Sequence, residues 1–314
     1  MKHNRYRFCA WLICLLMLIS FPFSAFAAGS NTNGSLAISL IADEEYISDV
    51  TFNIYRVADE NYQLVGKYSA YPVILKGLSS DEMGAAAETL AGYTQRDDIP
   101  ALQTSITNEF GYLRFDNLQK GIYLVVGDIY INGDTVCCPV PFIASLPSFD
   151  ADGNALYDVV ASPKFDMWLA NQILERNVKK VWSDKGYESV RPAQITVQLL
   201  KDGNIADEVS LNESNNWSYS WNDLEPTSVW RVVEKTVPEG FTVTVKNQNR
   251  IITVTNTLTN TSIYDTPDTS NNTSSTLPQT GQLWWPVPVL LCAGAMMLFI
   301  GVYISRKNGS SKDA

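Results

Sequence analysis

The sequence predicts an all-β protein: two tandem β-sandwiches, with one short helix inserted in the first. Most of the chain between residues 28 and 258 consists of short runs in which apolar and polar residues alternate, the period of a half-buried strand. Turn dipeptides separate the runs. Asn132-Gly133, Asp152-Gly153 and Asp202-Gly203 all tolerate the positive φ that tight hairpins need. One stretch has helical period instead: Met83, Ala86, Leu90 and Tyr93 recur at helix spacing, behind a capping box of Ser79 and Glu82.

The chain opens with Lys2, Arg5 and Arg7, then an apolar run from Phe8 to about Phe21, then Ala25-Phe26-Ala27. That order predicts a secretory signal peptide over 1–27, removed after Ala27; the run is short for a membrane span and is followed by Pro22 and small residues. Strands are expected at Leu36–Ile41, Val50–Val57, Tyr112–Phe115 and Ile122–Val126, giving a first domain over 28–165. The stretch 166–176 lacks clear periodicity and is read as a linker. Strands at Val178–Trp182, Ile195–Leu200, Val229–Glu234, Phe241–Val245 and Ile251–Thr255 give a second domain over 177–258. Residues 259–276 are nearly all Thr, Asn, Ser, Asp and Pro, with no packing face; they read as an extended tether of roughly 60 Å at full stretch. The run 283–304 has no charge and is long enough to cross a bilayer as a helix. Trp284 and Trp285 stand at one edge and Arg306 and Lys307 beyond the other, so the N-terminal side is outside the cell and 305–314 is a basic cytoplasmic tail.

Composition excludes several functions. Hydrophobic residues make up 46% of the chain, enough for ordinary cores, and the net charge of −10 argues against nucleic acid as a partner. His3 is the only histidine and falls in the leader, so the processed chain has no imidazole for a Ser-His-Asp triad, a Cys-His dyad or a His-ligated metal. No cofactor or metal site is expected. Cys137 and Cys138 are the cysteines left between the two ends; being adjacent, they close no loop. Strand alternation would put one in the core and one outside, which favours reduced thiols.

Alternation also selects three polar residues in the second domain. Val178, Lys180 and Trp182 share a strand face, as do Trp230, Val232 and Glu234, and Ile252, Val254 and Asn256. If the apolar members face the core, an amine, a carboxylic acid and a carboxamide go inward with them. Desolvation lowers a lysine pKa and raises a glutamate pKa. A neutral amine can attack the asparagine carbonyl while the acid polarises it and moves protons. Lys179 faces outward. The alternative for the same residues is a buried Lys-Glu ion pair with the asparagine only hydrogen-bonded.

Two resemblances add to this reading. Leu277-Pro278-Gln279-Thr280-Gly281, followed by the apolar span and basic tail, resembles the cell-wall sorting signal of Gram-positive surface proteins. That resemblance implies cutting between Thr280 and Gly281 by a membrane transpeptidase, sortase, and attachment to peptidoglycan through Thr280. The second is carried by Val178-Lys179-Lys180-Val181-Trp182, by Arg191 to Gly203, by Trp230-x-Val232-x-Glu234 with Val237-Pro238-x-Gly240-Phe241, and by Val254-Thr255-Asn256-Thr257. These resemble the immunoglobulin-like Cna B-type repeat of Gram-positive surface proteins and pilins. The likeness implies an internal isopeptide bond between Lys180 and Asn256, with Glu234 as catalyst. They are the three residues that alternation selects.

The first domain is similar to the N-terminal domains of pilin subunits through Thr107-x-x-x-Gly111-x-x-x-Phe115-x-x-Leu118-x-x-Gly121-x-Tyr123. Its first strand has no lysine and Gly127 stands where a catalytic glutamate would follow Tyr123, so no cross-link is expected there. Val159-x-x-x-Pro163-Lys164 partly resembles the pilin motif whose lysine accepts the next subunit; the family's Trp and Tyr positions hold Ala155 and Ser162. Asp150-x-Asp152-Gly153-Asn154 has oxygens at calcium-like spacing but reads as a hairpin turn. The expectation is a sortase-anchored structural protein, a pilin subunit or adhesin stalk with other pilin subunits as partners, and not an enzyme beyond its single self-directed reaction. The alternatives are an unpolymerised adhesin module with a host or carbohydrate ligand, and a surface hydrolase acting through two carboxylates.

Overall fold

The computed structural model describes residues 33–42, 45–248 and 250–260. The leader 1–27, the sorting motif 277–281, the span 283–304 and the tail 305–314 lie outside these residues, as does nearly all of the tether. Among the described residues no helix is long and apolar enough to cross a membrane. They lie in one compact unit.

The architecture is all-β with one α-helix. In the first module, Gly34–Ser39 lies between Tyr112–Leu118, antiparallel, and Asp158–Ala161, parallel. A four-stranded sheet runs in the order Phe142–Leu146, Gly121–Gly127, Thr51–Ala58, Gln103–Ile106. Leu36, Ile38, Phe52, Ile54, Phe115, Tyr123 and Val125 meet between these sheets as a buried core. In the second module one sheet runs Ser218–Leu224, Leu174–Ser183, Ile251–Leu258, Phe241–Gln248, and the other Asn204–Asn212, Gln194–Lys201, Trp230–Glu234. Asp202 and Gly203 join the two strands around Lys201↔Asn204 with φ of 47° and 86°, the paired left-handed geometry of a two-residue hairpin.

The helix Ser80–Arg96 begins as its capping box requires: Ser79 accepts from the Glu82 N–H, and Glu82 accepts from the Ser79 N–H at 2.8 Å. Ala86, Ala87, Leu90, Ala91 and Tyr93 are buried. The helix belongs to both modules. On one side it joins Ile122, Leu124 and Val126, the outward face of a first-module strand; on the other it joins Val232, Val233, Val243 and Val245 of the second.

The structure corrects two expectations. The stretch 166–176 is largely strand. Phe165–Leu169 pairs with Thr135–Pro139 of the first module, and Leu174–Ser183 already belongs to the second. Met167 and Leu169 are apolar yet exposed, so no polar face marks the strand in sequence. Cys137 and Cys138 are both buried free thiols, because the strand carrying them is covered on both faces. Burial beside Glu88 and Asp166 pushes the Cys138 thiol up to about 12. The Asp150 segment is the expected turn: the carboxylate accepts from the Asp152 and Asn154 N–H groups at 3.0 and 2.8 Å and from the Asn154 carboxamide, closing a small hairpin.

Candidate functional site

Three strands of the second module converge on one buried polar site. Leu174–Ser183 and Ile251–Leu258 are parallel neighbours, with Lys180 opposite Val254 and Trp182 opposite Asn256. Lys180 and Asn256 therefore lie two positions apart on the same inward face. Trp230–Glu234 comes from the opposing sheet and is held to Gln194–Lys201 through Val197↔Glu234. Glu234 reaches across the sandwich between the other two. Lys180 Nζ donates to Glu234 Oε2 at 3.1 Å, and Asn256 Nδ2 donates to Glu234 Oε1 at 2.9 Å. The Lys180 and Glu234 side chains have no exposed surface, and Asn256 is fully buried.

Burial dominates the electrostatics. Desolvation lowers the Lys180 pKa to about 8, against the opposing pull of Glu234. It also raises the Glu234 carboxyl above its usual range, against Lys180 and the Asn256 hydrogen bond. Both shifts favour the neutral amine and the protonated acid, the forms needed for attack on a carboxamide. Asn256 Oδ1 is buried without a donor. A half-turn of the carboxamide would bring that oxygen to Glu234, where a protonated carboxyl can donate to it.

Aromatic rings keep the site dry. Lys180 Nζ lies 4.5 Å from the Trp182 ring centroid, and Trp182 meets Trp217 and Phe241 edge-on at 5.5 and 5.4 Å. Arg191 stands 5.9 Å from the same ring, held by a two-pronged pair with buried Asp184 at 2.6 and 2.7 Å. Lys179 points to solvent, as alternation predicts.

Lys164 is elsewhere and exposed. It lines a cavity of about 670 Å³ with Asp81, Glu88, Pro141, Asp166 and Lys246. Leu277, Pro278, Gln279, Thr280 and Gly281 lie outside the described residues. Sequence reasoning missed Arg176, Arg231, Thr89 and Tyr93. Arg176 shares the inward parity of Lys180 and is likewise buried. Arg231 has outward parity, yet is only 4% exposed because the helix covers that face and Glu88 and Gln95 accept from its guanidinium at 2.5 and 2.9 Å. Tyr93 donates to the Glu234 backbone carbonyl at 3.1 Å across 141 residues, a separation that no local pattern encodes.

Residues 176–257 match the family described as Cna protein B-type domain. Over 79 residues the chain is 36% identical to the collagen adhesin of Staphylococcus aureus; that stretch is 23% of this chain and 7% of the adhesin, so only a small part of the adhesin's length is represented. Among solved structures, two B repeat units of the S. aureus collagen-binding protein align over 72% of this chain and 50% of that one, at 18% identity and a TM-score of 0.27. The shaft pilin SpaA of Lactobacillus rhamnosus GG aligns over 73% of this chain and 99% of its own, at 16% identity and a TM-score of 0.27.

Proposed function

We propose that this chain is a sortase-anchored structural protein of a Gram-positive cell surface, a pilin subunit or adhesin stalk. We propose further that an isopeptide bond between Lys180 and Asn256, formed with Glu234 as catalyst, clamps its second module. The observation that carries this reading is the buried chain Lys180–Glu234–Asn256, with the amine depressed and the acid raised. The match of residues 176–257 to the Cna B-type domain supports it.

In the reaction, the neutral Lys180 nitrogen attacks Asn256 Cγ while the Glu234 acid proton moves to Oδ1. The carboxylate then takes a proton from Nζ and passes it to Nδ2. The Cγ–Nδ2 bond breaks, ammonia leaves, and the oxygen returns its proton to Glu234. One C–N bond replaces another, with no oxidant, metal or outside substrate. Peptide mass mapping of the full chain should find the Lys180 and Asn256 peptides joined and lighter by one ammonia. In Glu234→Ala they should be separate. Separate peptides in the unaltered chain would defeat the reading.

Lys164 is the proposed acceptor for a neighbouring subunit. Its exposure beside an open groove supports this. A high-mass ladder in wall extracts that disappears in Lys164→Ala supports a pilin, whereas a single band supports an unpolymerised adhesin. One observation favours that second reading: Tyr46 and Phe110 are 60% and 61% exposed and meet edge-on at 6.4 Å, the kind of aromatic surface that anchors ligands.

A further inference from the structure

Trp230–Glu234 and Phe241–Gln248 are edge strands of the two sheets of the second module, and both edges face the first module's helix. An edge strand has main-chain groups with no ladder partner. Here the first module supplies the partners. Val245 N–H donates to Thr89 Oγ1 at 2.7 Å, and Val243 N–H to the Pro72 carbonyl at 2.8 Å. The Glu234 carbonyl accepts from Tyr93 Oη at 3.1 Å. Val243 in turn pairs with Asn256 in the sheet register. The helix thus holds the main chain of the proposed catalyst and the strand beside the proposed acceptor.

Tyr93 is itself tightly placed. It is 2% exposed, stacks on Tyr71 at 4.7 Å and 14°, and carries the Arg96 guanidinium over its ring at 4.7 Å. Thr89 is fully buried and donates back to the Ala85 carbonyl, which aims its free lone pair at Val245. The approach is close: a Cβ on Gly92 would stand 2.6 Å from Val233 Cγ1, next to Glu234 in the strand.

We infer that the helix Ser80–Arg96 of the first module is part of the second module's cross-linking apparatus, with Tyr93 and Thr89 as positioning residues. This rests on the proposed Lys180–Asn256 bond. The reacting side chains belong to the second module, but the fixed separation between carboxyl, amine and carboxamide depends on two edge strands tied to one helix. Misplacement of reacting groups by a fraction of an ångström slows a reaction that relies on orientation.

The test follows joined peptide in newly made, pulse-labelled full chain. Tyr93→Phe keeps the ring and removes the hydroxyl; Thr89→Val keeps the shape and removes the acceptor. Each should slow joining about fivefold, the effect of one hydrogen bond of ordinary strength. Thr89→Ser restores the hydroxyl and should return the rate close to that of the unaltered chain, a rescue that loss of packing alone would not show. Equal rates in all four chains overturn the inference and leave the cross-link standing. No joined peptide in the unaltered chain overturns the cross-link, and the inference with it.

Discussion

Glu234 bridges an amine and a carboxamide inside a sandwich that gives none of the three access to water. Such burial costs several kcal/mol for charged forms, so the amine and the carboxyl are each displaced toward neutrality. The consequence is measurable in a chain that cannot form the bond, Asn256→Ala. Lys180 titrates near 8 when folded, against 10.5 for an ordinary lysine. Between those values the unfolded chain holds a proton that the folded chain has released, so stability should rise with pH across this window, by about 3 kcal/mol. Its contribution is lost as pH falls through 8. Glu234 has the opposite sign: its contribution is complete below the unfolded carboxyl value and is lost as pH rises through the raised one. Urea unfolding of Asn256→Ala from pH 8 to 10.5 should show the rise, and adding Lys180→Met should remove it. A rise that persists in the double variant would refute the assignment to Lys180.

At the scale of elements, the helix is the part whose role differs most from its sequence reading. Its capping box and apolar repeat are local signals, so its position in the chain was legible. Its partners were not. Arg231 and Glu88 form a buried ion pair between helix and strand, 4% and 12% exposed in their side chains. Removing one member leaves the other charge buried and unpaired, whereas replacing both removes the desolvation problem as well. Measured in the Glu234→Ala background, Glu88→Ala should therefore cost about 3 kcal/mol. The double variant Glu88→Met/Arg231→Met should cost less than that single change. Equal or larger loss in the double variant would show that the single change does not act by leaving a buried charge unpaired.

For the molecule as a whole, the position of the proposed bond matters more than its number. It joins the first and last strands of the second module, which lie parallel and side by side. Tension entering at Leu174 and leaving at Leu258 would pass through Lys180 and Asn256 and bypass the sheet between them. In single-molecule pulling, Glu234→Ala should release additional length from the residues between these positions, about 260 Å at full extension. The unaltered chain should not release it. Equal extension in both would remove the mechanical role.

Alternation along three strands is a property of adjacent residues, and by itself it brought Lys180, Glu234 and Asn256 to one interior. The hairpin at Asp202-Gly203 and the start of the helix at Ser79 were settled in the same way, because φ preference and capping act within a few residues. Only the tertiary structure decided that Phe165–Leu169 is a strand, that both cysteines are buried, and that Tyr93 reaches the carbonyl of Glu234. Those outcomes depend on which surface covers a strand's second face or edge. The covering residues are distant in sequence and are brought there by packing, so no local pattern records them.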